Sequence, residues 1–205
     1  MSPKVSKEHK EQRRANILNA AKDVFIEHGY EHTTMKHIMD AANVSRGGLY
    51  QYFSNKEDVF ETILEEDIQL YLIELAEVLR ENVHSHWDLL LETIYGEERQ
   101  PNDEMDPLAP SKLEFFITGR NDKRRREYGK TRYYNGFKIY ADIIKQGQQK
   151  GEFSTKFDSD VIARSIIAFI DGLALDHSIL PKEDLKLKQQ SALFMDYLKI
   201  TLGVE

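Results

Sequence analysis

The 205-residue chain contains no cysteine, which excludes a disulfide framework, a thiol nucleophile and a thiolate metal site, and suits a reducing compartment. It has no apolar run of the about 18 residues that a membrane span needs, and its first fifteen residues, MSPKVSKEHKEQRRA, lack the apolar core of a secretory signal. A soluble cytoplasmic protein with no membrane partner is expected. Neither an alternating strand pattern nor an internal repeat is present. Asp171, Asp176 and His177 stand without a nucleophile at a workable spacing. His84 and His86 are two apart, so they do not share a helix face, and no third ligand lies in reach. No enzyme activity, metal or cofactor is expected.

What is present is ordinary in amount, with 40% apolar and 31% charged residues, as in folded globular proteins. The net charge of −7 hides a division. Residues 1–56 hold 9 Lys or Arg against 6 Asp or Glu, a balance of +3, and the remainder holds 19 against 29, a balance of −10. DNA affinity rests largely on neutralised phosphates, which an acidic protein supplies only through a local basic segment.

That basic segment contains TMKHIMDAANVSRGGLYQYFSNK at 34–56. A helix starts on the hydroxyl of Thr33 or Thr34 and carries Met35, Ile38, Met39 and Ala42 on one face. Asn43, tolerant of left-handed backbone angles, makes a turn, Val44 fills the corner, and Ser45 caps a second short helix. That helix exposes Arg46, Gly47, Gly48 and Gln51. Two helices joined this closely form the helix-turn-helix arrangement that lays its second helix in the major groove.

At these residues the chain resembles the TetR family of bacterial transcriptional repressors, whose pattern runs roughly T, x3, I, A, x2, A, G, V, S, x, G, x, L, Y, x, H or Y, F, x, x, K. Thr34, Ile38, Ala42, Val44, Ser45, Gly47, Leu49, Tyr50, Tyr52, Phe53 and Lys56 fall on it in register. Met39 replaces a usual small residue, and Asn43 replaces the usual turn glycine. The resemblance implies that Thr34, Tyr52 and Lys56 hold the DNA backbone. Arg46 can meet guanine O6 and N7 in bidentate fashion, or a phosphate. Gln51 suits adenine edges or phosphate, and Tyr50 suits a thymine methyl or phosphate. Gly47 and Gly48 each weaken a helix by roughly 1 kcal/mol relative to alanine, which points to close approach of the bases. Lys36 reaches a phosphate, a guanine or only solvent. The leader cations Lys4, Lys7, Lys10, Arg13 and Arg14 enter the minor groove or fray.

The expected fold is all-α, with about nine helices. A three-helix DNA-binding domain at 1–54 leads through a long fourth helix to an effector-binding and dimerisation domain at 55–205. The first helix should run 7–28 and end at Gly29, and its small core should combine Leu18, Ala21, Phe25, Ile38, Ala41, Val44, Leu49 and Phe53. Asn55 caps a helix expected over 55–83, with others at 87–95, 111–118 and 121–150. An acidic loop with three prolines lies at 97–110. The last two helices, 158–178 and 181–202, are apolar around more than half their circumference and so need two partners. One partner is the domain's own core, and the other is the same pair of a second subunit through Ile162, Ile166, Phe169, Ile170, Leu193, Phe194, Tyr197 and Leu198. Both helices serving purely as core is the alternative.

A small-molecule effector pocket is implied by the family. Its candidates are Trp87, Phe115, Phe116, Tyr133, Tyr134, Phe137 and Tyr140, each of which also suits simple core packing. Arg120, Lys123, Arg124, Arg125, Arg126, Lys130 and Arg132 form a basic run at a helix start, solvated or facing an anionic partner. The expected function is an effector-responsive repressor that binds an inverted-repeat, double-stranded operator as a homodimer. An architectural DNA-binding protein, an activator without effector response and a helical interaction module are the alternatives.

Overall fold

The computed structural model describes residues 7–80 and 83–205. Lys4 and residues 81–82 lie outside them, and Val83, where the fourth helix was expected to end, is not helical. The described residues form ten α-helical segments and one 3-10 turn, with no strand. They are α1 (Lys7–His32), α2 (Met35–Ala41), α3 (Arg46–Tyr50), α4 (Lys56–Arg80), α5 (His86–Tyr95), α6 (Ala109–Thr118), the 3-10 turn (Gly119–Asn121), α7 (Lys123–Gln149), α8 (Ser159–Ile179), α9 (Lys182–Leu185) and α10 (Leu187–Leu202). None is long and apolar enough to cross a membrane.

Short polar side chains set most helix starts by accepting otherwise orphaned backbone N–H groups. Asn55 accepts from Asp58 at 2.8 Å, and Asp58 in return accepts from the Ser54 N–H at 2.8 Å, a reciprocal cap. Asp122 caps α7, and Asp158 caps α8. The expected boundaries change in three places. Gly29, at φ 74° and ψ 170°, breaks α1 where expected, yet helical hydrogen bonding continues beyond it to His32. Pro110 lies inside the first turn of α6 rather than in the loop, because a first-turn residue has no intrahelical N–H bond to lose. The expected last helix becomes two, because Lys186 takes the left-handed conformation at φ 48° and ψ 41° between α9 and α10.

The chain divides into two compact units. One takes the chain up to Gln69 together with Pro107–Thr118, and the other takes Leu70–Asp106 with Gly119–Glu205. In the first, Ile17, Leu18, Ala21, Phe25, Ile38, Leu49 and Phe53 are buried with Val59, Phe60, Ile63 and Leu64 of α4. Ala41, expected in this core, is exposed in the last turn of α2, and Val44 is half-buried. Four aromatic rings close the unit: Phe60 lies 4.6 Å from Phe25, 5.1 Å from Tyr30 and 5.1 Å from Phe115 of α6. The Phe25 pair is edge-on and the other two are tilted, and edge-on contact adds to the burial of area.

In the second unit α7 packs against α5 and α8. Leu90, Ile143, Ile144, Ala163, Ile166, Leu198 and Leu202 are its most deeply buried apolar side chains. A satellite cluster of Leu173, Leu185 and Leu187 takes in Met105 and Phe169.

Candidate nucleic-acid interface

The turn between α2 and α3 is built from the residues the sequence pointed to. Thr34 Oγ1 accepts the His37 N–H at 3.2 Å and starts α2. Asn43 takes φ 51°, so the chain reverses without glycine, and the Val44 N–H returns to the Met39 carbonyl at 3.1 Å. Ser45 Oγ then accepts the Gly48 N–H at 3.2 Å. A five-residue helix has little stability in isolation. Here Leu49, with 0% exposure, fastens α3 to the core, and Phe53 fastens the segment after it.

With that face fixed inward, the opposite face is polar and open. Arg46 is exposed, makes no hydrogen bond or ion pair among the described residues, and lies 5.6 Å over the half-exposed ring of Tyr50. That stacking restricts the guanidinium while leaving its fork of donors outward. Gln51 and Lys36 are exposed too, and Tyr52 is half-buried against Phe53. A Cβ at Gly47 would meet nothing within 4 Å, whereas one at Gly48 would stand 3.0 Å from Arg13 Nη2. The two glycines are therefore not equivalent.

Lys56 is placed differently from an outstretched cation. Its ammonium donates to the carbonyls of Tyr30 at 2.7 Å and Glu31 at 2.8 Å, and lies 4.5 Å from the centre of the Tyr30 ring. It thus satisfies terminal carbonyls of α1 and ties the start of α4 to them. Arg14, grouped with the leader cations, pairs with Glu66 and lies 5.7 Å over Phe53.

Sequence reasoning missed the contribution of α6. Ser111 Oγ donates to the Phe25 carbonyl at 2.6 Å, and a Glu114 carboxylate oxygen accepts the Tyr30 N–H at 2.6 Å. A Cβ at Gly29 would come within 2.8 Å of that oxygen, so the glycine there answers both a positive φ and a close approach. No local pattern announces pairings between residues more than 80 positions apart.

The expected effector residues fall in both units. Phe115 is fully buried in the first unit's aromatic core, with Phe116 against it at 5.3 Å. In the second unit Trp87 is half-buried, Tyr133 and Tyr134 are exposed, and Phe137 is buried beneath Arg164, whose guanidinium lies 4.9 Å from its ring centre. Burial raises the pKa of the Tyr140 phenol, with Tyr71 and Asp171 adding to the rise. Burial also raises the Asp171 carboxyl. Tyr71 meets the Thr93 hydroxyl at 2.8 Å. A separate cleft of about 310 Å³ is lined by Tyr95, Gly96, Glu97, Glu98, Asn102 and Glu104, and shares no residue with the expected set.

Of the eight residues expected at a subunit interface, Ile162, Ile166, Phe194 and Leu198 are buried within the chain itself, and Phe169 and Ile170 are half-buried. Leu193 and Tyr197 point outward at 73% and 47% exposure. They are joined by residues outside the expected interface set: Ile200 at 83%, Ile179 at 68% and Val161 at 60%.

Comparison with known proteins places this geometry. Residues 17–63 match the model of the tetR family of bacterial regulatory proteins, and residues 92–188 match the tetracyclin repressor-like C-terminal domain. The uncharacterized helix-turn-helix transcriptional regulator YfiR of Bacillus subtilis is 32% identical over 210 residues, covering 100% of this chain and 99% of its own. The Escherichia coli regulator UidR is 25% identical over 190 residues, or 93% of this chain and 91% of its own. Among solved structures, Salmonella enterica GusR superposes with a TM-score of 0.71 at 24% identity, covering 97% of this chain and 98% of that one. FadR of Bacillus subtilis, solved in complex with stearoyl-CoA, gives 0.69 at 20% identity, covering 93% and 99%. A head with this turn and this open second helix, matched in its sequence as well as its fold, makes the chain a member of the TetR family of helix-turn-helix transcriptional regulators.

Proposed function

We propose that the chain is an effector-responsive repressor that binds an inverted-repeat operator as a homodimer. The observation that carries the DNA half of this reading is the outward face of α3, where Arg46 is stacked on Tyr50 beside the open backbone of Gly47. Arg46 takes the base-reading role, Gln51 and Tyr50 supply further edge or phosphate contacts, and Thr34, Lys36 and Tyr52 face the backbone. Lys56 acts by fixing α1 to α4, which sets where the reading face stands.

Supporting a homodimer are the outward apolar side chains on α8 and α10, which water disfavours and which a two-fold copy of the same surface would cover. Such a pair presents two α3 helices to half-sites about 34 to 36 Å apart. Trp87, Tyr133, Tyr134, Phe137 and Tyr140 remain the proposed effector contacts, and Phe115 and Phe116 are assigned to the packing of the first unit. An effector among α4, α5, α7 and α8 would bias α4, the helix whose residues are divided between the two units. Effector and operator affinities would then be coupled reciprocally by about 1 to 3 kcal/mol.

The test is to select bound duplexes from a random pool, beginning with DNA flanking the chain's own gene, and to weigh the complex. An inverted repeat bound by two chains is the expected result. Recovery of no sequence preference, or of one chain per site, would overturn the reading.

A further inference from the structure

Arg13 stands on α1, far in sequence from the helix pair, and sequence reading leaves it among a row of leader cations. In the fold its guanidinium occupies the space where Gly48 lacks a side chain: a Cβ there would be 3.0 Å from Nη2 and 3.8 Å from Cζ. The side chain is exposed and makes no hydrogen bond or ion pair among the described residues. Its neighbour Arg14 behaves in the opposite way, paired with Glu66 and lying over Phe53. No acidic residue occurs at 41–53, the stretch that holds the turn and α3. A guanidinium seated against this helix therefore has no protein anion beside it on that stretch to satisfy its five donors.

The two glycines of α3 separate the possible reasons for that seat. Both weaken the helix, yet a Cβ at Gly47 would meet open space, and one at Gly48 would crowd Arg13 Nη2 at 3.0 Å and Ser45 Oγ at 3.2 Å, so that the guanidinium would have to give way. Close approach of bases accounts for an open Gly47. It does not account for a Gly48 whose vacant side is filled from within the chain.

We propose that Arg13 is a DNA-phosphate contact seated at the edge of the reading helix, and that Gly48 is glycine in order to seat it. This rests on α3 being the helix that enters the groove. A phosphate contact from α1 fixes the register of α3 without reading sequence, which is the usual division of labour between backbone and base contacts.

A double-mutant cycle tests the assignment, with Arg13→Ala, Gly48→Ala and the double variant titrated against a selected duplex and a random duplex over a range of salt concentrations. Arg13→Ala is expected to weaken both duplexes by about tenfold and to shallow the salt slope by about one per bound subunit. Arg13→Lys should retain the slope. Gly48→Ala should give a similar loss alone and no further loss in the Arg13→Ala background, with thermal unfolding showing that each variant is folded. An unchanged salt slope in Arg13→Ala overturns the proposal, as does a Gly48→Ala loss of equal size with and without Arg13. Should the wild-type chain show no preference between the duplexes, the operator reading fails, and the slope on random DNA still decides the role of Arg13.

Discussion

The two compact units each carry an exposed patch, and the two patches differ in character. In the first, Arg13, Lys36, Arg46 and Gln51 stand outward without a side-chain hydrogen bond or ion pair among the described residues, and the rings of Phe25, Tyr30, Phe60 and Phe115 are packed inside. In the second, Val161, Ile179, Leu193 and Ile200 stand outward, and one histidine is turned in and tied to a carboxylate. His86, at 1% exposure, is held there by Glu152, whose carboxylate accepts the backbone N–H groups of His86 at 2.9 Å and Trp87 at 2.8 Å and meets the His86 ring at 2.7 Å. On the proposed reading the contrast has a reason: the first patch meets the hydrated, anionic groove of a duplex, and the second meets an apolar copy of itself.

The sharpest way to break this contrast is to make the second surface resemble the first. Leu193→Asp combined with Ile200→Asp alters two exposed positions and should leave the fold intact. Loss of bivalent binding should lower operator affinity at least about 100-fold, with the mass in sedimentation falling to that of one chain. A doubled mass that persists would remove these residues from the interface. Next in size, Arg46→Ala should lose roughly 1 to 3 kcal/mol of operator affinity, concentrated at one base pair of each half-site. Equal losses on operator and random DNA would reassign it to the backbone.

Two smaller effects test each unit from within. Burial alone would raise the Glu152 carboxyl, but its backbone hydrogen bonds from His86 and Trp87 and the His86 ring outweigh this and leave it below its ordinary 4.5. A depressed native value means that the ion contributes stability above the unfolded pKa and loses it as pH falls through the folded one. Glu152→Gln should therefore destabilise by about 1 to 2 kcal/mol near neutrality, and the gap from wild type should close below about pH 4.5. Chemical unfolding at a series of pH values checks this, and a gap independent of pH would refute it. In the other unit, Gly47→Ala should raise stability by about 0.5 to 1 kcal/mol through helix propensity and yet weaken operator binding several-fold. Parallel gains in both measurements would mean that the bare backbone has no role in recognition.

The parts of this molecule that depend on near neighbours in sequence were legible beforehand. Thr34, Ser45 and Asn55 cap helices because a short polar side chain reaches a backbone N–H three residues on. Asn43 turns the chain because its own conformational preference permits it. What stayed hidden depends on the third dimension. Lys56 bears a charge that suits a phosphate, and only the fold reveals the carbonyls of Tyr30 and Glu31 beside it. Periodicity identified α8 and α10 as apolar on two sides, but not which side each residue takes. Hence Leu198 and Phe194 belong to the interior, and Ile200 lies outside.

Because Pro107–Thr118 supplies Phe115 to the aromatic cluster and Ser111 and Glu114 to α1, the DNA-binding part of this chain is not a continuous stretch of sequence. Cutting after residue 69 would strip one wall from that cluster. A functional chimera must import the distant strip together with the amino-terminal helices, so recombination at a single crossover would yield a regulator whose reading head is incomplete.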